Sequence, residues 1–361
     1  MNLGFESDFS KINKLDWNTL SCLDKAFALA VSIFHRNAFW NFVFRKYSES
    51  DYLMRCIPLD YADKTYYNNV GRYAGIEIRY HSVARKMSYE SIRDALNSGE
   101  LCVIIINNKY RPGSKHFEVK DHPHFILITK LDDDIFSVID EPVEKELWKP
   151  ENYKNGVAYS KQSINAYTLF SMTYDVDKFA QCLGFQVKDS DDLYFFSIAP
   201  LKSVPSNTHI HAILKSEIAI MVESSEPHID FIAKELVRFC KLYLERYQKY
   251  NLSDTIDMKE LHKSDPLGIK EKTYFPYEWK LVKFHMAYFK AITQCVTDLV
   301  GTTGNTGLYI ESIHLDYSKL QMLLSRDIIK NNYSEFPYLV DKFYKIYQAE
   351  MSVLRGFLSI L

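Results

Sequence analysis

Cys22 is followed by Leu23, Ala26, Phe27, Ala30, Ile33 and Phe34 at helical spacing, with Asn18, Thr19 and Ser21 just upstream as capping residues. This spacing predicts a thiol in the first turn of a helix. Unpaired backbone N–H groups and the positive end of the helix dipole favour a thiolate there, and the same N–H groups can bind a developing oxyanion. A cysteine on a core helix is otherwise a small buried hydrophobe, so a nucleophilic role needs a base. The segment from His122 to Pro142 offers one. Two strand-like runs, Phe125 to Thr129 and Ile135 to Ile139, are joined by an acidic turn, with His124 at one open end and Asp140 at the other.

Opposed residues in an antiparallel hairpin have a constant sum of positions, set by the centre of the loop. A three-residue loop over Asp132 to Asp134 sets His124 opposite Pro142 and makes Asp140 its same-face diagonal neighbour, roughly 7 to 8 Å away by Cα. A two-residue loop would set Glu141 opposite His124 instead. The longer loop accommodates all three aspartates, so Asp140 is the preferred acid and Glu141 the competing one. A carboxylate beside the imidazole would fix its tautomer and stabilise the imidazolium, which in turn favours the Cys22 thiolate.

These residues need a scaffold, and the chain has material for one. Its 361 residues are 47% hydrophobic, enough for two domains or one large one. Composition shifts near Pro200 to Asn207, where PLKSVPSN reads as a linker. Before it, Leu101 to Ile106, Phe125 to Thr129, Ile135 to Ile139 and Leu193 to Ala199 read as strands in a mixed α and β region. After it, Ile229 to Tyr250, Glu278 to Val300, Asp316 to Ile329 and Val340 to Leu361 repeat apolar residues at helical spacing and predict a helical bundle. We therefore expect a domain over residues 1–204 and a helical one over 205–361.

The balance of 44 Lys+Arg against 46 Asp+Glu lacks the basic excess of a nucleic-acid binder. The apolar run Ala26 to Phe34 is too short to span a membrane, and MNLGFESDFS has no basic leader segment, so a cytoplasmic location is expected. The cysteines Cys22, Cys56, Cys102, Cys182, Cys240 and Cys295 form no C-x-x-C pair, which fits neither a disulfide framework nor a zinc site. Gly301-Thr-Thr-Gly304-Asn-Thr-Gly307 has neither the lysine nor the preceding strand of a phosphate-binding loop and reads as a helix-to-helix loop. His209-Ile-His211 alternates like a strand but has no third ligand nearby. His122, beside Pro123, reads as a rim residue, and His285 and His314 stand apart from any partner in sequence.

The helix-opening cysteine and, about a hundred residues on, H-F-I-L-I-T-K, D-D and V-I-D-E-P resemble the papain-like, C39-peptidase-like fold. More narrowly, they resemble the butirosin-biosynthesis acyltransferase family, to which closthioamide-type amide synthases are similar. The resemblance covers roughly the first 200 residues. It implies an α+β papain-like domain followed by a mainly helical C-terminal domain. It also implies that Cys22 is the nucleophile, His124 the base and Asp140 the orienting acid. Asn18 is then the candidate oxyanion-hole amide, with plain helix capping as its alternative duty. The implied activity is amide formation: an acyl or peptidyl group passes from a carrier-protein thioester to Cys22 and on to a small amine. No cofactor is expected beyond the phosphopantetheine carried by the donor carrier protein, and neither nucleic acid nor membrane is an expected partner. The competing reading is a cysteine peptidase or amidase that uses the same three residues on water.

Overall fold

The computed structural model describes residues 22–35, 38–39, 41–43, 64–114, 116–119, 121–140, 160–176, 192–202, 206–223, 277–301, 304–329 and 335–361. They belong to two compact units that divide between Pro205 and Ser206. In chain order the first unit contains α1 (Cys22–Phe34), α2 (Lys64–Tyr73), β1 (Ile76–Ala84), α3 (Ser88–Asn97), β2 (Leu101–Asn107), β3 (Pro123–Asp132), β4 (Ile135–Asp140), β5 (Ser160–Asn165), α4 (Ala166–Ser171) and β6 (Asp192–Pro200). It is an α+β unit built on a six-stranded antiparallel sheet of order β1-β6-β2-β3-β4-β5.

The four runs read as strands from sequence are β2, β3, β4 and β6, and they are neighbours in the middle of the sheet. β2, LCVIIIN, is buried along its whole length, which is why its sequence runs apolar without alternation. One face of the sheet packs Ile104, Ile106, Ile126, Ile128, Phe136 and Val138 with Leu169 of α4, Met172 and Ile92 of α3. On the other face Phe27 of α1 meets Phe196 edge-on at 5.3 Å, and Tyr67 of α2 at 5.0 Å. α1 is buried from Leu23 to Val31, and apart from Asp24 and Lys25 in its first turn that stretch is apolar on every side rather than striped. The outer strands β1 and β5 are richer in polar residues, and β5, SKQSIN, has little strand signal of its own.

The second unit contains α5 (Asn207–Glu223), α6 (Tyr277–Val300), α7 (Gly304–Ile329) and α8 (Phe336–Ile360). α5 buries Ile210, Leu214, Ile218 and Met221, and α7 buries Ile310, Ile313, Tyr317, Leu320 and Leu324, each a stripe at spacings of three and four. His209 and His211 therefore lie on a helix, not a strand, and point to different sides of it. Gly301 ends α6 in the left-handed region at φ 76°, the conformation that favours glycine after a helix. Gly304 already begins α7, so the glycine-rich loop is shorter than the sequence suggested. The helix expected over Ile229 to Tyr250 lies outside the described residues. No helix of the described residues is long and apolar enough to cross a membrane.

A polar triad sits inside this helical unit. His285 of α6 contacts both carboxylate oxygens of Glu350 on α8, at 3.0 and 2.8 Å, and Tyr317 of α7 donates to Glu350 Oε2. All three side chains are fully buried. Burial, reinforced by the carboxylate, pushes the Tyr317 phenol well above its ordinary value, so it stays a donor. His285 thus has a partner that sequence spacing could not reveal, 65 residues away. Glu350→Ala would leave an imidazole and a phenol unpaired in the core. It should cost about 3 to 5 kcal/mol, read as a large drop in the denaturant midpoint, whereas truncation of the exposed Met322 should leave the midpoint nearly unchanged.

Candidate active site

Cys22 is the first residue of α1 and is partly exposed, while the residues after it are buried. Its thiol is free, and it stands where the first-turn N–H groups of a long helix have no partners within the helix. Asp24, in the same first turn, accepts a hydrogen bond from Tyr67 of α2, which ties this end of α1 to its neighbour.

His124 is the second residue of β3 and pairs with Ile106 of β2, while Asp140 ends β4 and pairs with Ser160 of β5. The hairpin between them departs from the sequence reading. Its turn is two residues, Asp133 and Asp134, with Asp132 already paired to Ile135 and Asp133 at φ 51°. The pairs Asp132↔Ile135, Leu131↔Phe136 and Lys130↔Ser137 then give way, across an irregularity between Ile128 and Lys130, to Ile128↔Val138 and Leu127↔Ile139. The extra residue is Thr129, whose hydroxyl donates to the Ser137 carbonyl at 3.1 Å. Beyond the bulge the register is the one a three-residue loop would have set. Continued by one pair, it makes Asp140 the same-face diagonal neighbour of His124.

The side chains meet accordingly: His124 Nε2 lies 2.7 Å from Asp140 Oδ1, with both residues buried. Cys22 is a hydrogen-bonding partner of the same imidazole. Asp140 occupies Nε2, so the ring nitrogen not held by the carboxylate is Nδ1. Burial works against the charged ring. The Asp140 carboxylate, by charge and by hydrogen bond, and Cys22, by the same two routes, outweigh that effect and raise His124 from the ordinary 6.5 to about 10. Thiol, imidazole and carboxylate thus form one connected series, which can hold a proton on the ring while the sulfur acts as nucleophile.

The second oxygen of this acid has a partner that sequence reading missed. Arg111 NH2 lies 2.6 Å from Asp140 Oδ2, and the arginine is itself buried. In sequence, Arg111-Pro-Gly after an apolar run reads as a solvated turn. Only the adjacency of β2 and β3 reveals that this turn returns beside His124. Arg111 and Asp140 also line a cavity of about 390 Å³ whose walls include Ile106, Ile126, Gln162 and Met172. His122 stays off the series: its ring stacks on His116 at 4.2 Å and meets the Asn108 amide at 3.3 Å. Asn18 and the competing acid Glu141 lie outside the described residues, as do Cys56, Cys182 and Cys240. Cys102 is a buried thiol pushed up by desolvation, and Cys295 is buried as well.

Compared with known proteins, the chain matches no family model and no curated sequence.

A raised imidazole pKa has a testable sign. The part of the folding stability that comes from the His124 proton is fully present below about pH 6.5 and is lost as pH rises towards about 10. In an NMR titration of histidine-labelled protein, one ring absent from the His124→Ala spectrum should remain cationic at pH 8. Neutralisation of that ring near pH 6.5 would contradict an imidazolium stabilised by Asp140.

Proposed function

We propose that the chain is a cysteine-dependent acyltransferase that forms amide bonds in natural-product assembly, taking its acyl or peptidyl group from a carrier-protein thioester. The observation that carries this reading is the single imidazole with Asp140 on Nε2 at 2.7 Å and Cys22 as its other partner. The resemblance of the Cys22, H-F-I-L-I-T-K and V-I-D-E-P segments to the butirosin-type acyltransferases supports transfer over hydrolysis. It also supports a papain-like catalytic domain over residues 1–204 and a helical domain over 205–361. A free thiol nucleophile suits the reducing cytoplasm.

In the first half-reaction Cys22 sulfur attacks the thioester carbonyl, and the new S–C bond forms a tetrahedral oxyanion at the N-terminus of α1. The bond to the phosphopantetheine sulfur breaks, and the imidazolium of His124 gives its proton to that leaving thiolate. In the second half-reaction an amine attacks the acyl-Cys22 carbonyl. His124 removes a proton from the amine nitrogen, the S–C bond breaks, and the amide departs. Exchange of one thioester for another is nearly balanced, and aminolysis of a thioester runs downhill, so the cycle needs no ATP. Asp140 orients the ring and stabilises its charged form without taking the proton.

Intact-mass measurement tests the reading. Incubation with acyl-carrier thioesters should add the mass of the acyl group alone to the wild-type chain and nothing to Cys22→Ala, and the adduct should persist until an amine is supplied. Discharge at one rate with and without amine would assign the chain to the hydrolases instead. His124→Ala should abolish turnover, and Asp140→Asn should leave a weak residual rate in the same assay.

A further inference from the structure

The carboxylate that orients His124 has its own orienting problem. The terminal torsion of an aspartate is broad and roughly two-fold, so a single hydrogen bond through Oδ1 leaves the group free to swing about its own axis. Asp140 is held by both oxygens, at 2.7 Å to His124 and at 2.6 Å to Arg111, which fixes the plane of the carboxylate. The cation is held in turn. Arg111 N–H donates to Asn108 O at 3.2 Å, closing the single-turn 3-10 helix Asn108–Tyr110. That turn is fastened to the start of β3 by Asn108 N–H to His122 O at 2.8 Å, by His122 N–H to Asn107 Oδ1 at 3.1 Å and by Asn107 Nδ2 to Asp121 Oδ1 at 2.8 Å. The backbone that carries Arg111 is thus tied to the strand end that carries His124, and Asp140 contacts both side chains.

We infer that Arg111 is a positioning residue of this site: its guanidinium acts through Asp140, locking the carboxylate so that Oδ1 stays on His124 and the imidazolium stays poised beside Cys22. The inference rests on the reading of Cys22 as an activated nucleophile. An arginine suits the place because its charge is permanent and its planar fork constrains direction, whereas an ammonium supplies charge alone. Other charged or titratable groups stand on the elements around the cluster. Among the described residues they include Asp24, hydrogen-bonded by Tyr67, and Lys25 on α1, Lys109 paired with Asp121, Tyr110 bonded to Asp175, Lys161 on β5, and the stacked rings of His116 and His122. All are retained in every variant below, so their influence cancels in the comparison.

The test is the pH dependence of Cys22 alkylation by iodoacetamide, followed by peptide mass spectrometry, with thermal melting run alongside. The readout is the pH at which Cys22 becomes reactive, because the thiolate of a thiolate–imidazolium pair alkylates and the thiol does not. Removing the cation and loosening the acid both act in one direction. Arg111→Gln should move the onset up by about one pH unit, slowing reaction about tenfold on the acidic side. Asp140→Asn should move it at least as far, and adding Arg111→Gln to Asp140→Asn should then change little, since the arginine works through that acid. A folded Arg111→Gln protein with the wild-type onset overturns the inference, as does a double variant whose shift is the sum of the two single shifts. If Arg111→Gln does not fold, Arg111→Lys carries the test. A smaller shift in the same direction supports a role for the guanidinium, and an unchanged onset overturns it. An ordinary thiol onset in the wild type would instead overturn the activation of Cys22 itself.

Discussion

The turn between β3 and β4, taken alone, would pair Asp140 with Leu127, and Leu127 shares its side of the sheet with Val103 and Phe196, the side on which α1 packs. The bulge at Thr129 removes that pairing. One extra residue in β3 shifts the register by one, and a shift of one exchanges the two faces of a strand. Asp140 is thereby placed on the side of Ile126 and His124, where its carboxylate finds the imidazole at 2.7 Å. The proximity of base and acid, the raised His124 pKa and the grip of Arg111 on the second oxygen all follow from where this strand carries its additional residue.

Once the acid faces inward, electrostatics constrains the rest. A buried carboxylate is costly unless its oxygens are matched, and Asp140 has a cation on each: Arg111 permanently, and His124 when protonated. Cys22 supplies the next negative charge when it ionises. Charges then alternate along the series from guanidinium to sulfur, with no net charge in the buried cluster. This accounts for a histidine that is both buried and raised in pKa, where burial by itself would lower it.

Much of this was legible in the sequence, unevenly and for definable reasons. The helix opened by Cys22 and the four central strands follow from local apolar spacing, because elements buried on two faces are built mostly from apolar residues. The nearness of Asp140 to His124 was also legible, although by a different route. A three-residue loop and a two-residue turn with a bulge give the same register near the site, and the bulge has no sequence signature in I-T-K. Arg111 was hidden because an arginine before Pro-Gly in a turn looks like any solvated cation. Its role depends on β2 lying beside β3, which is a non-local fact. The pairing of His285 with Glu350 was hidden for the same reason, since helices 65 residues apart share a core that spacing cannot describe.

The two polar clusters contrast in what surrounds their histidines. Within the helical unit, Glu350 meets His285 through both oxygens and also takes the Tyr317 hydroxyl, while all three side chains are sealed from solvent. Such a triad makes a packing of three helices specific, because any slip strands a buried polar group. In the α+β unit, Asp140 spends only one oxygen on its histidine, and the ring's other partner is a cysteine that is partly exposed at a helix N-terminus. Both contacts of Glu350 fall on Nε2 of His285, and the ring's Nδ1 is sealed in the core away from solvent, so that ring has no outlet. A carboxylate that is itself anchored from behind holds the ring by one nitrogen and leaves the other for chemistry. The fixed acid, the single contact and the partly open sulfur together distinguish a site arranged for proton transfer from one arranged for stability.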